Sequence, residues 1–133
     1  MNLDLLSWTE AFLRYKDAIQ RKIQEIKINK EEKEIKVKQK DGTEQLYKCI
    51  DELEKTHIKE AENKRIVCLN TKNNLNWLIE NWQELKETET IIIFSNPKKT
   101  AHWTVTPKTH NKITEKGAIK QGLKSLFESI PEI

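Results

Sequence analysis

Thr90-Ile91-Ile92-Ile93-Phe94 is a short, unbroken apolar run that Ser95-Asn96-Pro97 closes with turn-forming residues. The run is too short for a buried helix and its isoleucines favour the extended chain, so it predicts a strand covered on both faces. Just upstream, Asn73 to Glu87 places Leu75, Leu78, Ile79, Trp82 and Leu85 at the intervals of an amphipathic helix. Arg65-Ile66-Val67-Cys68-Leu69 precedes that helix as another strand. Downstream, Ala101 to Thr106 forms a further strand, stopped by Pro107, which has no amide to give to a ladder. A closing helix over Ala118–Ile130 gathers Ile119, Leu123, Leu126, Phe127 and Ile130 on one side.

Toward the N-terminus, Ser7-Trp8-Thr9-Glu10 has capping-box spacing and predicts a helix start. Trp8, Phe12, Tyr15, Ile19, Ile23 and Ile26 then recur every three or four residues, which predicts one long helix laid on a core. Lys30 to Lys40 changes to a period of two around Ile35 and Val37. Asp41-Gly42 supplies a positive-φ turn and Leu46-Tyr47-Lys48-Cys49-Ile50 returns, which predicts a β-hairpin. Asp51 to Asn63 is charged and helix-compatible. The order predicts a single α+β (or α/β) domain over residues 1–133, with a mixed sheet of about five strands. A long N-terminal helix, a central amphipathic helix and a C-terminal helix accompany that sheet.

Composition narrows the function. The chain is 133 residues long, 36% hydrophobic and 34% charged, which suits one polar-surfaced globular domain. No apolar run nears the ~20 residues of a bilayer span, and Met1–Leu6 lacks a secretion signal's pattern. The expectation is a soluble, cytoplasmic protein with no membrane contact. Three glycines leave no room for a phosphate-cradling loop or a dinucleotide fingerprint, which excludes ATPases and Rossmann dehydrogenases. Cys49 and Cys68 form neither a disulfide framework nor a CxxC pair, and each sits in an apolar stretch as a small hydrophobe. None of Ser7, Ser95, Ser125 and Ser129 lies in a nucleophile elbow. No catalytic residue, metal ligand or cofactor is therefore assigned.

Charge is the uneven feature. Residues 1–63 carry 13 basic and 14 acidic side chains, whereas residues 64–133 carry 11 and 7. Between Ser95 and Lys124 lie Lys98, Lys99, Lys108, Lys112, Lys116, Lys120 and Lys124 against Glu115 alone, with His102 and His110 in the same window. On a helix Lys116, Lys120 and Lys124 form one rail, spaced to meet successive negative groups. Trp103 lies between Lys98-Lys99 and Lys108, where an aromatic would serve as a stacking platform for unpaired bases. Arginine, which favours bidentate phosphate and guanine contacts, occurs three times and never after Arg65. The pattern points to a non-enzymatic nucleic-acid- or nucleoprotein-binding protein in which lysines meet backbone phosphates as point charges.

Over Ser7 to Phe94 the order helix, three strands, helix, strand resembles the restriction-endonuclease-like superfamily. In that family an acid at the start of the second strand, and an acid-x-Lys on the third, hold a divalent metal that activates water for phosphodiester cleavage. Asp41 stands just before the second strand here, and Asn70 takes the second acid's place two residues before Lys72. Neutral Asn70 removes a negative charge from any such metal site, so the resemblance implies a catalytically inactive relative more than a metal-dependent nuclease.

Two other features carry alternatives. Glu54, His57 and Glu60 are spaced as metal ligands on a helix, although surface pairing is the expected state of so polar a run. Trp77 falls off the apolar face of its helix, among Asn73, Asn74 and Asn81, so it should be partly exposed. Trp77 and Asn81 thereby mark an interface for a protein partner or for self-association, the reading that competes with nucleic acid.

Overall fold

The computed structural model describes residues 4–54, 65–113 and 118–133, apart from the side chains of residues 112 and 113. Its elements are α1 (Leu5–Gln20), β1 (Ile23–Asn29), β2 (Glu34–Gln39), β3 (Glu44–Cys49) and β4 (Arg65–Leu69). There follow α2 (Lys72–Glu80), α3 (Trp82–Leu85), β5 (Ile91–Asn96), β6 (Ala101–Val105), α4 (Pro107–Ile113) and α5 (Ile119–Glu128). The strands lie side by side in chain order as one mixed sheet of six strands. β1, β2 and β3 alternate in direction, β3, β4 and β5 run parallel, and β6 turns back against β5.

The sixth strand comes from the end of the long helix that the sequence pattern extends to Ile26. α1 starts one turn before the Ser7 box, because Asp4 is the N-cap and accepts the Ser7 N–H at 2.7 Å. The Ser7 amide is also the largest influence holding the Asp4 carboxyl below its usual value. The helix stops at Gln20. Arg21 turns left-handed (φ 52°), and Asp17 Oδ1 accepts the amides of Lys22 and Ile23, each at 2.8 Å. Ile23, Ile26 and Ile28 thus belong to β1, where they pack beside the core as strand residues. Tyr15 and Ile19, assigned to the apolar stripe by spacing, are each 74% exposed.

The β2–β3 hairpin forms as expected, with Gly42 at φ 92° and Thr43 bonded to Asp41. The helix expected from Asn73 to Glu87 is instead broken at Asn81, whose buried side chain donates to the Trp77 carbonyl at 2.8 Å. α4 is an unanticipated addition. Pro107 opens it, where a missing amide costs nothing, and His110 Nδ1 closes its first turn on the Thr106 N–H at 3.1 Å.

Alternation along the strands sorts the interior into two half-cores. On one side Ile66, Cys68, Ile92, Phe94, Trp103 and Val105 pack with residues of α2, α3 and α5. On the other, Ile35, Val37, Tyr47, Cys49, Val67 and Ile93 pack under Leu5, Trp8 and Leu13 of α1. β4 and β5 are buried on both faces, as their apolar runs require. Both cysteines are buried thiols, and burial pushes Cys49 up to about 11, in keeping with a packing role. β2 turns Lys36 and Lys38 to solvent on the α2 side, and β6 turns His102 and Thr104 to solvent on the α1 side.

Candidate functional site

The lysines of the basic segment are placed by β6 and the helices that follow it. Lys98 and Lys99 are exposed in the β5–β6 turn, where both amides donate to Asn96 Oδ1 at 3.1 and 3.3 Å. Lys108 lies beyond the other end of β6 and pairs with Glu89 at 3.3 Å. Lys120 and Lys124 are exposed on α5. That helix spans the two ends of β6. Its Ile119 and Gly122 line a small cavity with His110, while Pro131, just past its C-terminus, accepts from Asn96 Nδ2 at 3.0 Å. Along the direction of β6, Lys120 and Lys124 therefore stand between the Lys108 end and the Lys98–Lys99 end. Lys116, with the Glu54, His57 and Glu60 grouping except Glu54, lies outside the described residues, as does the side chain of Lys112.

Trp103 does not join those lysines as a platform. It is 5% exposed, its ring stacks on Phe94 at 4.2 Å and 12°, and its Nε1 donates to Asn70 Oδ1 at 2.8 Å. A strand with alternate residues in the core gives no free face to an unpaired base. His110 is likewise committed through Nδ1 to Thr106.

Asn70 itself is fully buried and has no open coordination position. Besides accepting from Trp103, its Nδ2 donates to the carbonyls of Phe127 at 3.4 Å and Pro131 at 3.2 Å. Asp41 is at the opposite end of the sheet. The turn holding it precedes β3, while Asn70 follows β4, parallel to β3, with the Leu69 amide facing the Asp51 carbonyl. The residues aligned with the nuclease motif are thus not brought together. Among the described residues no group of three or more His, Cys, Asp or Glu side chains could hold a metal ion, and no helix is long and apolar enough to cross a membrane.

Of the interface pair, Trp77 is partly exposed, as its place off the apolar face predicts, with the rest of its ring packed against the α2-side core, whereas Asn81 is buried and offers no open contact. The sequence pattern also missed Asn74. Its Oδ1 accepts the Leu53 amide at 2.9 Å, and its Nδ2 donates to the carbonyls of Asp51 and Leu69, both at 2.8 Å. An asparagine one residue before an apolar-face leucine gives little sign of this, but three amides fastening chain ends are visible together in Asn70, Asn74 and Asn96.

A second feature, unforeseen from the sequence, lies on the other side of β6. Trp8 and Phe12 stack at 5.1 Å and 8°, and the His102 ring meets Phe12 edge-on at 4.8 Å. Burial, and then the nearby Lys16 ammonium, lower the His102 pKa from its ordinary value. No family model, curated protein or solved structure matches this chain.

Proposed function

We propose that the protein binds nucleic acid through backbone phosphates along the lysine band that α5 lays between the two ends of β6. The observation carrying this reading is the placement of exposed Lys120 and Lys124 between Lys108 and the Lys98–Lys99 turn. Point-charge ammonium groups without an open aromatic or an arginine fork contact phosphate and ignore base identity. Binding is then independent of sequence and sensitive to salt. Each neutralised phosphate adds about 0.9 to the slope of log affinity against log salt on duplex DNA.

Fluorescence anisotropy of a labelled duplex and a labelled single strand, measured across a salt series, checks this. Lys120→Glu with Lys124→Glu is expected to lower the duplex slope by about 2 and to weaken all sequences alike. Absence of binding at low salt, or a double variant that binds as well as the parent, would remove the proposal.

A further inference from the structure

The α1 side of β6 is built as a groove. One cavity of about 420 Å³ is lined by Trp8, Ala11, Phe12 and Tyr15 from α1 and by Thr100 and His102. A second, of about 350 Å³, is lined by Phe12, Tyr15, Lys16, Ile19 and Gln20 from α1 and by His102 and Thr104. Phe12, Tyr15 and His102 are common to both and form the partition between them.

The step from one cavity to the next has a specific length. On α1 it is one helical turn, about 5.4 Å, and on β6 it is two residues, about 6.6 Å. Two residues is also the spacing of successive side chains on one face of an extended strand. Beside these cavities β6 is an edge: it pairs with β5, and among the described residues no strand pairs with its other side. Its sequence, Ala101-His102-Trp103-Thr104-Val105, has none of the lysines or prolines that guard exposed edges.

We propose that this groove and edge are a docking site for an extended peptide, which adds to the sheet as a further strand and seats two apolar side chains, two residues apart, in the adjoining cavities. Main-chain bonds to the β6 edge supply affinity and the cavities supply selectivity. Charge sets the flanks. Among the described residues no carboxylate lines either cavity, Lys16 lines the second, and the exposed Lys98 and Lys99 directly precede Thr100, which lines the first. The occupant is accordingly an apolar dyad flanked by acidic residues, a composition that also disfavours a second copy of this chain, whose own groove carries the same cations.

The test uses fluorescein-labelled synthetic peptides in which phenylalanine and isoleucine stand two apart in a threonine-spaced strand, flanked by glutamates or by lysines. The glutamate-flanked peptide is expected to bind the full chain at least about tenfold more tightly than the lysine-flanked one, and Ile19→Asp to abolish binding. Ile19 is exposed, so that variant leaves the core intact. N-methylation of alternate peptide amides separates strand addition from simple groove filling. One alternate set should cost about tenfold or more and the other set should cost nothing. Equal effects of both sets, no binding of the glutamate-flanked peptide, or a dimer in light scattering that Ile19→Asp dissolves would overturn the assignment. Lys120→Glu with Lys124→Glu, which removes the phosphate band, should leave peptide affinity unchanged, so the two proposals fail separately.

Discussion

Asn70→Ala lowers the free energy of unfolding by about 3 kcal/mol, a large part of the ~5–15 kcal/mol that holds a domain of this size together. The substitution leaves the buried Trp103 indole N–H without its acceptor and takes the Nδ2 donor from the carbonyl of buried Phe127, while the Pro131 carbonyl keeps Asn96. An orphaned buried polar group costs about 1–3 kcal/mol, and small relaxation recovers only part of these two losses. Urea denaturation, followed by tryptophan fluorescence, measures the change, and a loss below about 1 kcal/mol would show that the three contacts are idle. Asn70→Asp sharpens the point. The new carboxylate keeps an acceptor for Trp103 but confronts two carbonyl oxygens, so burial and repulsion raise its pKa in the folded state above the ordinary ~3.9. The unfolded state then releases its proton first as pH rises. The variant is expected to be most damaged at neutral pH and to recover as pH falls through the raised value. An acid at position 70 therefore costs stability, and with Asp41 at the opposite end of the sheet it gains no second carboxylate there to share a metal.

Phe94→Ala is expected to cost about 3–5 kcal/mol, the range for deleting a fully enclosed aromatic ring. Phe94 has no exposed surface, stacks on Trp103, and lies in the half-core shared with Leu78, Leu85 and Leu123. Removing the ring opens a cavity beside an indole whose one polar atom is already tied to Asn70, so the surroundings have little freedom to collapse. The same denaturation experiment checks this, with Phe94→Leu as the milder arm because it refills part of the cavity; a cost below about 1 kcal/mol for Phe94→Ala would mean the site repacks and the ring contributes little.

The central fold was legible because β4, α2 and β5 have patterns that admit one period each. Ile91 to Phe94 is too short for a buried helix, and Leu75, Leu78 and Trp82 are too regularly spaced for a strand. The sequence pattern carries the N-terminal helix past its end because Ile19, Ile23 and Ile26 satisfy a helical period over a short window. The deciding event, a left-handed Arg21 held by Asp17, involves no glycine and leaves no compositional mark. The groove is equally invisible in that pattern: Tyr15 and Ile19, which the spacing assigns to the core, form the exposed wall beside β6. Trp103 failed as a platform for the opposite reason. Alternation in Ala101–Val105 shows that one face of β6 is buried, but the lysines around it carry no information about which. The asparagines were illegible individually, since a buried amide and a solvated one are the same letter until the partners 57 and 61 residues away are in place.

β4 and β5 form a wall common to both half-cores: Val67 and Ile93 face α1, whereas Ile66, Cys68, Ile92 and Phe94 face the other helices. Stripping either helical layer would wet one side of the same two strands and weaken what remains on the other. Neither half is expected to outlive its neighbour, so calorimetry should record one cooperative melting event in place of two.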